Sequence, residues 1–162
     1  SGIALQGGVS VDDTVQVGPF YDGSFRGCRV KSMHVNRVSV RRVLAGQDAT
    51  FALTNIGFEE IKNGMVLLDK QLIPKAVRSF EAKVMILYHP TTIREGYHSV
   101  IHLHTIRETA EITQSAKKVL RTGDEGIVEF MFLYNPQFIE ADQTFVFREG
   151  RCKGIGRILT VS

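Results

Sequence analysis

Short runs of alternating apolar and polar residues follow one another along the chain, and almost none repeats at the spacing of a helix. The clearest is Ser79–Tyr88, where Phe80, Ala82, Val84, Ile86 and Tyr88 fall on one face and Glu81 and Lys83 open the other. Side chains two apart on a strand point the same way, so this pattern predicts a strand with one buried face. Similar alternating or β-branched runs predict strands over 14–17, 25–34, 48–53, 97–104, 108–114, 126–133, 144–148 and 154–161. Helical spacing is confined to 56–62, one or two turns with Glu59 and Glu60 outward, stopped by Asn63-Gly64. Gly7-Gly8, Asp22-Gly23, Gly123-Asp124 and Gly150 supply turns where a positive φ costs least.

About ten short strands without crossover helices predict an all-β fold, a sandwich or a barrel. The natural break is 69–77, which carries Pro74 and separates two strand sets of similar size. Each half is small, so two barrels docked together would bury more surface than either alone. The 162 residues fit one full domain or two such barrels. With 43% hydrophobic and 23% charged residues the chain can bury a core. Fifteen glycines, four prolines and two cysteines exclude disordered, collagen-like and disulfide-framework classes. No apolar run approaches the roughly 18 residues of a membrane helix, so no membrane partner is expected. Two cysteines favour a reducing, cytoplasmic setting.

The net charge is only +3, but its placement changes the picture. Positions 23–47 hold no acidic residue, while Arg26, Arg29, Lys31, Arg37, Arg41 and Arg42 are basic. A second cluster, Arg148, Arg151, Lys153 and Arg157, is opposed only by Glu149. Such a field attracts phosphates, and a solvated positive face is equally compatible with it.

Candidate chemistry is sparse. His98, His102 and His104 share one face of a predicted strand, with neighbours two apart separated by roughly 7 Å. Only His102 and His104 are near enough to share a metal, and no CxxC or HExxH spacing supports one, so a polar or inter-domain face is expected. His34 and His89 are isolated. Cys28 and Cys152 read as buried, inert thiols. Ser32 and Ser99 each lie near a histidine without a GxSxG elbow, and Asp12-Asp13 and Glu59-Glu60 read as solvated caps. No GxxxxGK[ST] occurs, and the glycines of 150–156 read as bends in a barrel strand. No catalytic residue, metal or cofactor is expected on this chain.

Read in order, the punctuation resembles domains II and III of the translational GTPases related to elongation factor Tu. The first half carries Ser1-Gly2, Gly7-Gly8-Val9-Ser10-Val11-Asp12-Asp13, Val30-Lys31-Ser32, Ala45-Gly46-Gln47, Phe51-Ala52-Leu53 and Asn63-Gly64-Met65-Val66-Leu67. The second carries Phe80-Glu81-Ala82, His104-Thr105, Leu120-Arg121-Thr122-Gly123-Asp124 and Phe147-Arg148-Glu149-Gly150-Arg151. The run Tyr88-His89-Pro90-Thr91-Thr92-Ile93 is most similar to the branch of eukaryotic GTP-binding proteins 1 and 2.

That resemblance implies two small antiparallel β-barrels in tandem, 1–72 with its first strand truncated and 77–162. It implies that GTP and magnesium belong to a nucleotide-binding domain of the same protein, absent here, on which the barrels dock. It also implies contact with tRNA or the ribosome. His34 stands where the bacterial factor carries an acidic residue against the terminal adenosine, with Arg37 retained; an imidazole is a different partner for a ribose hydroxyl from a carboxylate. Arg148, Glu149, Gly150 and Arg151 match a stretch that touches the tRNA T arm, and Thr105 and Arg107 lie in a second. The RNA-binding candidates are therefore His34, Arg37, Thr105, Arg107, Arg148 and Arg151. Two alternatives stay open: Arg148 and Arg151 form ion pairs with Glu149 or Glu108, or the barrel faces recruit a protein partner such as an RNA-decay complex.

Overall fold

The computed structural model describes residues 2–3 and 6–162; Ser1, which opens the resemblance series, lies outside them. Its strands are β1 (Gly2–Ile3), β2 (Gly8–Ser10), β3 (Thr14–Gly18), β4 (Arg26–Val35), β5 (Val38–Val40), β6 (Arg42–Leu44), β7 (Asp48–Leu53) and β8 (Val66–Asp69). Then come β9 (Ser79–Tyr88), β10 (His98–Leu103), β11 (Ile106–Ser115), β12 (Glu125–Phe132), β13 (Thr144–Glu149) and β14 (Cys152–Val161). The all-β class holds. Two compact units divide the chain: one takes its start up to Gly18, Phe25–Lys62 and Leu67–Ile73, the other Pro19–Ser24, Asn63–Val66 and Pro74–Ser162.

The second unit is a closed antiparallel barrel of six strands in the order β10-β11-β12-β9-β14-β13. Closure leaves no sheet edge unpaired. Alternation along each strand aims Phe80, Ala82, Val84 and Ile86 of β9 inward, with Phe130 and Phe132 of β12 and Phe145 and Phe147 of β13. Phe80 stacks on Phe130 at 5.4 Å and meets Phe145 edge-on at 5.5 Å; Phe130 and Phe147 lie 5.7 Å apart. Gly154 and Gly156 of β14 lie under Phe147 and Phe145, whose rings occupy the space a Cβ would need. The expectation that these glycines only bend a strand is thus incomplete: they make room for two aromatic rings.

Three local expectations fail for identifiable reasons. Tyr88 does not share the buried face of β9 and is 47% exposed. Lys153 pairs with Tyr88 but Gly154 with Ile86, so Leu87 is an extra residue in the ladder and reverses the phase of the strand beyond it. His104 leaves the face of His98 and His102, because β10 ends at Leu103 and His104, at φ 52°, opens the turn to β11. Helix over 56–62 shrinks to one 3₁₀ turn, Phe58–Glu60, with Phe58 exposed. Glu60 does not point freely outward: its carboxylate accepts the Gly57 N–H at 2.8 Å and Arg26 at 3.0 Å.

In the first unit the described strands stand in the open order β1-β7-β4-β3-β8, with β5 on β4 and a separate pair β2-β6. Val15, Val17, Cys28, Val30 and Met33 bury its core. Closure is therefore seen in one unit, and the tandem of two closed barrels is not. Strands β1, β2, β5, β6 and β8 went unpredicted, being two to four residues long, too short to show a period. Cys28 and Cys152 are buried free thiols. Among the described residues no helix is long and apolar enough to cross a membrane.

Candidate nucleic-acid interface

On the barrel, β10 lies between β11 and β13, and the inward set Ser99, Ile101 and Leu103 turns His98, Val100 and His102 outward. The pairing registers place His102 opposite Arg107 of β11 and Val146 of β13, and Val100 opposite Thr109 and Arg148. His98 at the far end faces Glu111, Nε2 to Oε1 3.6 Å. An open groove of about 410 Å³ runs over this face, lined by His98, Val100, His102, Thr109, Arg148 and Gly150 among others.

Among the described residues Arg107, Arg148 and Arg151 are exposed and form neither ion pairs nor side-chain hydrogen bonds. The pairing alternative is not what the side chains do. Glu108 points into the barrel, where one carboxylate oxygen accepts from Gln137 Nε2 at 3.0 Å and Asn135 Nδ2 at 3.3 Å. Glu149 pairs with Cys152 across the β13–β14 turn; burial, with this carboxylate adding to it, pushes the Cys152 thiol up. The Tyr97 hydroxyl is raised by burial and by Cys152 and Glu149, and it is enclosed without a well-formed hydrogen bond, as is Ser99 Oγ. His102 is pushed below its ordinary value by partial burial and then by the positive charges of Arg107 and Arg148.

The remaining candidates scatter. Thr105 sits in the two-residue turn between β10 and β11, and its Oγ1 accepts the Gly64 N–H at 3.2 Å. Gly64 needs φ +95°, and Gln137 fills the space where its Cβ would sit. Thr105 is thus engaged in holding the 63–66 segment. Arg151 occupies the turn after Gly150, joining β13 to β14. In the first unit His34 lies on β4 opposite Ser39 and Thr50, exposed. Arg37, at φ 66°, is the second residue of the β4–β5 turn. Ladder phase on β4 changes at Lys31, since Val30 pairs with Leu53 and Ser32 with Ala52. Arg29, Lys31 and His34 are exposed in consequence, while Arg26 is taken up by Glu60.

In the sequence Arg107 and Arg148 lie in separate stretches, and His102 stands out only by its spacing from His98 and His104. Barrel register brings His102 and Arg148 to one groove and sets Arg107 directly opposite His102 at its side. The only advance sign was the even spacing of outward residues on each strand. Among the described residues no three His, Cys, Asp or Glu side chains converge as a metal site would require.

Residues 73–162 match the family described as the elongation factor Tu C-terminal domain. Over 158 residues the chain is 42% identical to GTP-binding protein 1 of Xenopus laevis, covering 98% of this chain and 24% of that protein. It is 38% identical over 162 residues to GTP-binding protein 2 of Homo sapiens, covering 99% and 26% respectively. Elongation factor 1-alpha of Desulfurococcus mucosus is 27% identical over 153 residues, 82% of this chain and 35% of that protein. The chain thus spans about a quarter of the length of the GTP-binding proteins it matches. It belongs to the elongation factor Tu C-terminal domain family.

Proposed function

We propose that this chain forms non-catalytic barrel domains of an elongation-factor-like GTP-binding protein in the cytoplasm, and that the β11-β10-β13 face holds the backbone of tRNA or ribosomal RNA. GTP and magnesium then belong to a GTPase domain elsewhere in the same protein, on which the barrels dock. The observation that carries the reading is the pair of unpaired guanidiniums, Arg107 and Arg148, flanking His102 beside an open groove. Two exposed like charges with no internal counterion leave a positive field that attracts an external anion. Across two strand spacings and one two-residue step their Cα atoms are roughly 12 Å apart. That spacing suits a polyanion with repeated acceptors better than one small phosphate, and the planar fork of arginine matches phosphate oxygens. A-form RNA is recognised chiefly through backbone and shape, for which rigid cations suffice. In the first unit the exposed His34 and Arg37, beside Arg29 and Lys31, offer a second backbone contact.

Titrating aminoacyl-tRNA at several ionic strengths tests this. Affinity should fall steeply with salt as counterions are released. Arg107→Gln and Arg148→Gln should each weaken binding and flatten the logarithmic salt slope by about 1. Absent or salt-independent binding refutes the proposal.

One observation favours a second reading, a protein-docking module. On the outer face Ile155 lies opposite both Met85 and Val146, with Leu87 exposed on adjacent β9 and Ile127 exposed on β12 beyond it. Partners captured from extract that survive nuclease treatment and are lost on Ile155→Lys would support it.

A further inference from the structure

We propose that His102 is a conditional third cation of this groove, taking up a proton when an RNA phosphate enters between Arg107 and Arg148. This rests on the RNA-backbone reading above and deepens it.

The groups around the His102 imidazole set its charge. Across β11 it faces Arg107, with Thr109 and Glu111 farther along; across β13 it faces Val146, with Arg148 diagonal and Glu149 at the groove's end. On its own strand the nearest outward residue is Val100, and His98 beyond it is matched to Glu111. His104 has left the face in a turn. Partial burial and then two positive groups therefore oppose a charge on His102, and no carboxylate sits directly opposite to favour it. With the groove empty, the ring is held neutral beyond the ordinary preference of histidine.

A phosphodiester between the two guanidiniums reverses the balance. Its negative charge offsets the repulsion and accepts a charge-assisted hydrogen bond from the imidazolium. His102 in the complex then holds its proton to higher pH than in the free protein. The sign follows directly: the complex carries more protons than the free partners, so affinity rises as pH falls. The gain starts near the raised value of the complex and is complete below the depressed value of the free protein. Each unit between the two values is about tenfold in affinity. The other histidines lack this arrangement, since none of them is flanked by two unpaired arginines across both neighbouring strands.

The test uses the whole chain and a short fluorescently labelled RNA duplex, with binding followed by anisotropy at constant salt between about pH 7.5 and about pH 5.5, the range in which histidine titrates. Wild type should bind roughly tenfold more tightly at the acid end. His102→Gln should abolish most of that gain. His102→Lys should bind at the acid-end affinity throughout, and His98→Gln should keep the wild-type slope. A wild-type slope retained in His102→Gln, or lost in His98→Gln, overturns the inference while the RNA reading stands. No wild-type binding at any pH overturns the RNA reading, and this inference with it. His102 is half-buried on the outer face, so far-UV circular dichroism at each pH is enough to check that the variants fold.

Discussion

Gly154→Ala is the sharpest probe of how this barrel closes. Backbone preference does not explain the glycine, because Gly154 is not among the residues with positive φ, and an alanine in a strand interior ordinarily gains stability over glycine. The cost comes from Phe147. Its ring is fully buried between Phe130 and Phe145 and occupies the site a Cβ at Gly154 would take. The ring must tilt into neighbours already at contact distance, an overpacking penalty of about 1–3 kcal/mol. Complete expulsion of the ring would approach the about 3–5 kcal/mol of a buried Phe→Ala change, which sets the upper limit. For a chain of this size each kcal/mol lowers Tm by about 2–4 °C. The discriminating measurement is a double-mutant cycle with Phe147→Leu in urea, followed by far-UV circular dichroism. A smaller side chain facing the new methyl relieves the overlap, so the double variant should cost less than the two single changes summed, by about 1 kcal/mol or more. If Gly154→Ala is neutral, or if the two costs simply add, Phe147 does not occupy the notch and the account of closure is wrong.

Two other predictions concern single contacts. Gly64→Ala should destabilise by about 2–4 kcal/mol, from a left-handed backbone of about 1–2 kcal/mol and from displacing Gln137, whose charge-assisted bond to Glu108 contributes a similar amount; a urea midpoint unchanged from wild type would contradict it. Glu60 is held below its ordinary 4.5 by the Gly57 N–H and then by Arg26. A carboxylate lowered on folding stabilises above its unfolded value, and that support is lost as pH falls through the folded one. Thermal melts should therefore show a drop below about pH 4.5 that Glu60→Gln lacks, and parallel curves for the two proteins would exclude the contact.

What the sequence disclosed follows from where tertiary context mattered. Long strands with one apolar face, Ser79–Tyr88 above all, announced themselves because a six-stranded barrel buries one side of every strand. Strands of two to four residues did not, since their existence depends on the neighbour they pair with. The bulge at Leu87 and the turn at His104 were equally invisible: both depend on register across a gap in sequence, against β14 and within the β10–β11 hairpin. The family resemblance picked out Arg107 and Arg148, yet their common face, with His102 between, requires β13 to lie beside β10 although more than forty residues separate them in the chain.

Core and surface on this barrel are one design. Phe147 points inward, so Val146 and Arg148 must point outward; Ile101 and Leu103 inward force Val100 and His102 outward; Ile106 and Glu108 inward force Arg107 outward. A one-residue slip of β13 would place Arg148 among the phenylalanines and Phe147 in solvent, an exchange that register strongly forbids wherever one face is buried. The notch at Gly154 seats Phe147 in this register of β13 on β14, which sets Arg148 opposite Lys153 and turns it outward toward β10. The positions of the outer cations are therefore inherited from the packing of aromatic rings inside. On the proposed RNA-backbone reading, interior substitutions that shift β13 without unfolding the barrel should therefore weaken RNA binding, measured by the same salt titration, as removing Arg148 would.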